Sequence, residues 1–199
     1  MSVETLLHAL TSYFVIVDPL GTAVIFQALT GDQDRAWALR MAVRATVISV
    51  IIVLVFGFFG QSLLANLGIS IESLRVAGGL LLFYTAFGMI TRPRQPAEKA
   101  GMKVDISVYP LSIPLIAGPG CLTLTILLFS QRQDAGQTAA LIVAVVLIYL
   151  GTLACLLAAR SINRLLGETG DDILRRLLGV ILAALAVQFI ADGIRGLAG

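Results

Sequence analysis

The chain has 199 residues, 58% of them hydrophobic and only 13% charged, with a mean hydropathy of +0.94 and a formal net charge of +2. Water-soluble domains are about half apolar and about a quarter charged, so this is the composition of an integral membrane protein, with no basic surface for nucleic acid. Cys121 and Cys155 lie in apolar runs that suit neither a disulfide framework nor a metal site, and no Lys or Arg precedes the first apolar run, so no cleaved signal peptide is expected.

Six apolar segments can be set against a bilayer core that needs about 20 helical residues. The first, Leu6 to Leu29, contains Val17-Asp18-Pro19-Leu20-Gly21-Thr22 at its centre. Proline lacks an amide hydrogen and clashes with the carbonyl one turn back, so the helix breaks there. The second segment is clearest from Ala45 to Leu64, and the third, Leu74 to Ile90, is short and opens on Arg75. A polar linker follows, residues 91 to 105, with two prolines and six charges. The fourth segment, Ile106 to Ser130, holds Pro110, Pro114 and a second break at Ala117-Gly118-Pro119-Gly120-Cys121. The fifth is Thr138 to Ala159, and the sixth, Leu177 to Ala191, is again short and preceded by arginine.

If all six segments cross, loops one, three and five share one side and carry eleven basic residues, against three (Arg75, Arg132, Arg195) on the other. Making segments one and four re-entrant hairpins gives a poorer partition, nine against five. By the positive-inside rule the segments are broken but spanning, and both termini lie on the non-cytoplasmic side.

Sliding the second half over the first by 100 positions aligns Ser12 with Ser112, Ile16 with Ile116 and Pro19 with Pro119. In the same register Leu74, Arg75 and Gly79 meet Leu174, Arg175 and Gly179, with Glu72 opposite Asp172. The expected fold is therefore all-α, a single transmembrane domain of two three-helix repeats (residues 1–90 and 106–199) with broken first and fourth helices. Three spans per unit is an odd number, so the repeats are inverted, as in many secondary transporters. An old duplication without mechanistic meaning is the simpler alternative.

Asp18-Pro19 and Gly118-Pro119 each read as an N-cap followed by proline at the first helical position. Each break thus starts a half-helix, Pro19 to Leu29 and Pro119 to Ser130, whose first amides lack intrahelical partners and carry the positive end of the dipole. Two such ends near the bilayer midplane suit a carboxylate or another small anion. Thr22, Ser112, Thr123 and Thr125 supply hydroxyls nearby, and Gly21 and Gly120 allow close approach to the backbone. The bland reading is that the breaks only bend helices and the hydroxyls bond to their own backbone. Asp18, the one carboxylate deep in a span, is either a helix cap or a ligand for a coupling Na⁺ or proton. Glu72 with Arg75, and Asp172 with Arg175, share a helix face at a spacing of three; they serve as gates on opposite membrane surfaces or as interfacial anchors. Gly78, Gly79, Gly179, Ala183 and Ala184 point to close helix packing, and a homodimer through such faces is conceivable. His8 reads as interfacial. No metalloprotease, nucleophile-elbow or P-loop motif is present, so neither an enzyme nor a bound cofactor is expected.

At these residues the sequence resembles the MarC family of bacterial inner-membrane proteins. The resemblance is carried by Asp18-Pro19-Leu20-Gly21, by the run Tyr109 to Gly120 (YPLSIPLIAGPG), by Arg75-Val76-Ala77-Gly78-Gly79, and by Leu178 to Leu182 with Gln188-Phe189-Ile190. It implies six transmembrane helices and a relation to archaeal transporters of small neutral amino acids such as glycine and alanine. The family usually places asparagine where this chain has Thr22, which implies a difference in ion or substrate. The expected partners are the lipid bilayer and a small solute, and the expected activity is secondary transport. The rival is a non-transporting scaffold or assembly subunit, or an exporter of another small metabolite.

Overall fold

The computed structural model describes residues 3–30, 33–91 and 105–198; most of the expected linker lies outside them. Every regular element among these residues is helical: α1 (Val3–Val17), α2 (Pro19–Thr30), α3 (Arg35–Asn66), α4 (Ile71–Thr91), a π-type segment (Ser107–Ile116), α5 (Pro119–Ser130), α6 (Ala135–Leu157) and α7 (Ala159–Ala198). Five stretches are long and apolar enough to cross a membrane: Val3–Gln27, Arg35–Asn66, Ile71–Thr91, Ala135–Leu157 and Arg176–Ala198. The sixth expected crossing is divided. α5 has 12 residues, and at about 1.5 Å per residue it covers only part of a core about 30 Å thick.

Proline explains the division. Tyr109 (φ −125°, ψ 130°) and Ile113 (φ −123°, ψ 123°) are extended, because each precedes a proline whose ring disfavours the α conformation. The turns around them widen, so Leu111 N–H reaches Ile106 O at 3.2 Å and Ala117 N–H reaches Ser112 O at 2.8 Å, both five residues back. α7 bends at Gly167, φ 61°, where glycine carries no side-chain penalty.

The outside is apolar and the inside is small or polar. On α3, Val47, Ile51, Val55 and Phe59 are exposed at intervals of four, while Ala42, Ala45, Thr46, Ser49, Val53, Gly57 and Gly60 face inward. Lipid tails reward an apolar exterior, whereas helix contact in lipid rests on close fit and hydrogen bonds. α4 and α7 form the most extensive helix pair. A Cβ on Gly79 would stand 2.8 Å from Ala186 O and 2.7 Å from Ile190 Cγ1, and one on Gly179 would stand 3.0 Å from Ile90 Cγ1. The glycines expected to make close packing are thus spent within the chain, antiparallel, with Gly193 and Gly196 against Glu72.

The remaining pairs follow a two-fold pattern: α3 packs on the π-type segment and α5, while α6 packs on α1 and α2; α4 meets α5 as α7 meets α2. The segment from Ser107 to Ser130 advances along α3. Its start is tied by Asp105 to Arg44 (2.7 Å) and by Ser112 to Ala45 O (2.9 Å), and past its end Arg132 lies 5.7 Å from the Phe58 ring centroid. Asp105 also accepts from the Ser107 hydroxyl and amide, and these bonds, with Arg44 adding to them, hold its carboxyl below the usual carboxylate range.

Gly79→Ala should lower the melting temperature of the purified protein by an amount equivalent to about 1–3 kcal/mol, since the intruding methyl meets backbone. Gly88→Ala, where a Cβ meets nothing within 4 Å, should leave it unchanged or raised.

Candidate functional site

Both expected half-helices are present, and they start differently. At the first break the chain turns at Asp18, φ 45°, a left-handed conformation that aspartate tolerates better than most residues. Its Oδ1 accepts the Gly21 amide at 3.0 Å and its carbonyl accepts the Thr22 amide at 2.9 Å. The Thr22 hydroxyl, 2% exposed, donates to Val17 O at 3.0 Å. Asp18 is therefore the N-cap of α2, and its carboxylate sits where a Gly21 Cβ would stand. Pro19 is buried and Gly21 half-buried.

At the second break Gly118 (φ −74°, ψ 170°) is the N-cap of α5 and offers no side chain to its amides. Pro119 follows at the first helical position, so the next amides, on Gly120 and Cys121, carry the positive end of α5. Gly120 faces Leu82 of α4, which would collide with a Cβ there, and the same Cβ would stand 3.9 Å from Ile16 Cγ2. The two breaks are therefore neighbours, with Gly118 and Gly120 half-buried and Pro119 exposed. Thr123 packs against Gly78 and donates to Pro119 O at 3.0 Å. Ser112, fully buried, lies behind the break and turns its hydroxyl toward α3.

Of the polar groups around the breaks, Thr125 was expected from sequence, but the two tyrosines that bond there were not singled out. Tyr13 of α1 donates to Thr125 Oγ1 at 2.9 Å, and Thr125 donates to Cys121 O at 2.7 Å. Tyr149 of α6 donates to Ile116 O at 3.2 Å, which leaves the Cys121 thiol to donate to the phenol oxygen at 3.5 Å. Both tyrosines are at most 1% exposed. Tyrosine in membrane proteins ordinarily sits at the interface. Two of them in mid-segment were the available signal, because a buried phenol needs a partner.

The charged pairs lie apart from the breaks. Glu72 and Arg75 pack against Gly193 and Gly196 near the chain end, and no ion pair joins them among the described residues. Asp172 pairs with Arg176, at 3.0 Å, one residue beyond the expected partner. Arg175 lies in α7, with its side chain outside the described positions. His8 is exposed and, with Glu4, Thr11, Gln131, Arg132 and Gln137, lines an open cleft of about 630 Å³. Arg132 is pinned there, donating to Phe129 O at 2.6 Å and lying against the Phe58 and Phe129 rings.

A family model described as MarC family integral membrane protein matches residues 3–198. A UPF0056 membrane protein of Archaeoglobus fulgidus is 36% identical over 190 residues, covering 92% of this chain and 89% of the relative. The UPF0056 inner membrane protein YhgN of Escherichia coli K12 is 35% identical, covering 96% of each chain. The UPF0056 membrane protein YvbG of Bacillus subtilis is 31% identical, covering 99% of this chain and 97% of its own. No solved structure matches.

Tyr149→Phe leaves Ile116 O without its donor and should cost about 1–3 kcal/mol in thermal unfolding. Tyr13→Phe should cost less, because Thr125 keeps its bond to Cys121 O.

Proposed function

Because the chain belongs to the MarC family of integral membrane proteins, we propose that it is an inner-membrane secondary transporter of a small zwitterionic solute, a small neutral amino acid in the first instance. The single observation that carries this reading is the pair of adjacent helix starts at Pro19 and Pro119, one bearing its own carboxylate and the other bare. The solute carboxylate belongs at the amides of Gly120 and Cys121, where no side-chain cap competes. The solute ammonium belongs on the Asp18 side. Thr22, Gly21, Gly118 and Thr123 form the walls between them.

The two-fold pattern of helix contacts supports six crossings in two inverted repeats, with α1–α2 and the π-type segment–α5 as the broken members. On that arrangement the basic residues place both termini outside the cytoplasm. Leu82 lies over Gly120, so access to the bare helix start requires α4 to move. The cleft at Glu4, His8 and Arg132 is the approach from one face. Asp18 acts first as a cap, and a proton or Na⁺ supplies the driving force. In this mechanism Glu72, Arg75, Asp172 and Arg175 set helix depth.

Purified protein in proteoliposomes should take up or exchange glycine, alanine or serine in the presence of a Na⁺ or proton gradient. Gly118→Asp, which gives α5 an internal carboxylate at a backbone conformation open to any residue, should keep the fold and raise KM at least about tenfold, since about 1.4 kcal/mol of carboxylate binding is displaced. Unchanged KM in that variant would refute the carboxylate assignment. Absence of uptake or exchange of every solute in the parent would overturn the amino acid transport reading and favour the scaffold.

A further inference from the structure

Where α3 passes the π-type segment, one buried hydroxyl is left without a partner beside another that is shared between two carbonyls. Ser112 Oγ lies 2.7 Å from Ser107 O and 2.9 Å from Ala45 O, yet a hydroxyl has a single hydrogen and can satisfy one of the two. The Ser107 hydroxyl offers no relief, since it donates to Asp105. One turn along α3, Ser49 is fully buried, and its Oγ has no hydrogen-bond partner. A helical serine ordinarily bonds to the carbonyl four residues back. For Ser49 that is Ala45 O, the same oxygen that Ser112 approaches. Thr46, beside it, is satisfied by Ala42 O at 2.9 Å. Helix geometry thus sets Ser49 one turn from the carbonyl that Ser112 approaches, and an unsatisfied buried hydroxyl is a costly feature to keep.

We propose that Ser49 Oγ, Ser112 Oγ, Ala45 O and Ser107 O form a binding site for a monovalent cation, Na⁺. All four are neutral oxygen donors, which suit a hard alkali cation, and the absence of a carboxylate disfavours a divalent one. A carbonyl oxygen has two lone pairs, so one that already accepts a helical amide can still face a cation. Binding fastens the π-type segment to α3. The cation's role as the coupling ion rests on the transport reading, while its binding does not. The site is separate from Asp18, which is engaged as the cap of α2.

The test is thermal unfolding of the full-length purified protein in detergent, in sodium chloride, potassium chloride and choline chloride of equal concentration. Sodium should raise the melting temperature over choline by about 3 °C or more, with potassium weaker. Ser49→Ala should cut that rise, and in choline it should melt no lower than the parent, because it deletes an unpaired hydroxyl. Ser112→Ala should cut the rise as well; if it does not fold, Ser49→Ala alone decides. Equal melting in the three salts, or an undiminished sodium effect in Ser49→Ala, overturns the proposal. A sodium shift without solute uptake would remove the transport reading and leave the site. Uptake driven by protons without a sodium shift would do the reverse.

Discussion

Inside a bilayer a peptide group that loses its helical partner has no water to turn to, and two prolines impose that loss midway along two apolar segments of this chain. The surroundings of Pro19 and Pro119 are arranged to repair it. At the first break the repair is local: Asp18 bonds the Gly21 amide, and Thr22 bonds Val17 O from the next turn. At the second it comes from elsewhere in the chain, with Tyr149 of α6 supplying Ile116 O and Ser112 fastening the preceding segment to α3. Each repair fixes the helix that supplies it.

The two repairs are chemically unlike even though the two halves of the sequence align at an offset of 100 positions. Gly118 stands opposite Asp18, Cys121 opposite Gly21, and Tyr149 opposite Ser49. One helix start thus holds an internal anion while the other holds none. At aligned positions, Tyr149 carries a phenol that reaches the second break, whereas Ser49 has a short hydroxyl left without a partner. A zwitterion presents opposite charges at its two ends, and unequal helix starts can tell those ends apart.

The α4–α7 pair connects packing to this chemistry. Glycines at 79, 179 and 193 bring helices within backbone distance, where dispersion replaces the hydrophobic drive that lipid does not provide. From this seam Leu82 reaches over Gly120. Motion of α4 therefore changes access to the helix start, and a rigid seam moves the residue as a unit.

Composition and proline placement determined that this is an all-helical membrane protein with interrupted helices beginning at Pro19 and Pro119, because backbone chemistry alone forbids an unbroken turn there. Asp18 as a cap was legible for the same reason, being a relation between residues three apart in sequence. That Asp172 pairs with Arg176 was not legible, because spacings of three and four both share a helix face and the choice lies in rotamers. What the tertiary structure decided was the contacts across the bundle: Tyr13 with Thr125, Tyr149 with Ile116, Leu82 over Gly120, and Ser112 with Ala45 O of α3. Those partners lie up to 112 residues apart, and an apolar segment looks alike on all its faces until neighbouring helices select which face turns inward.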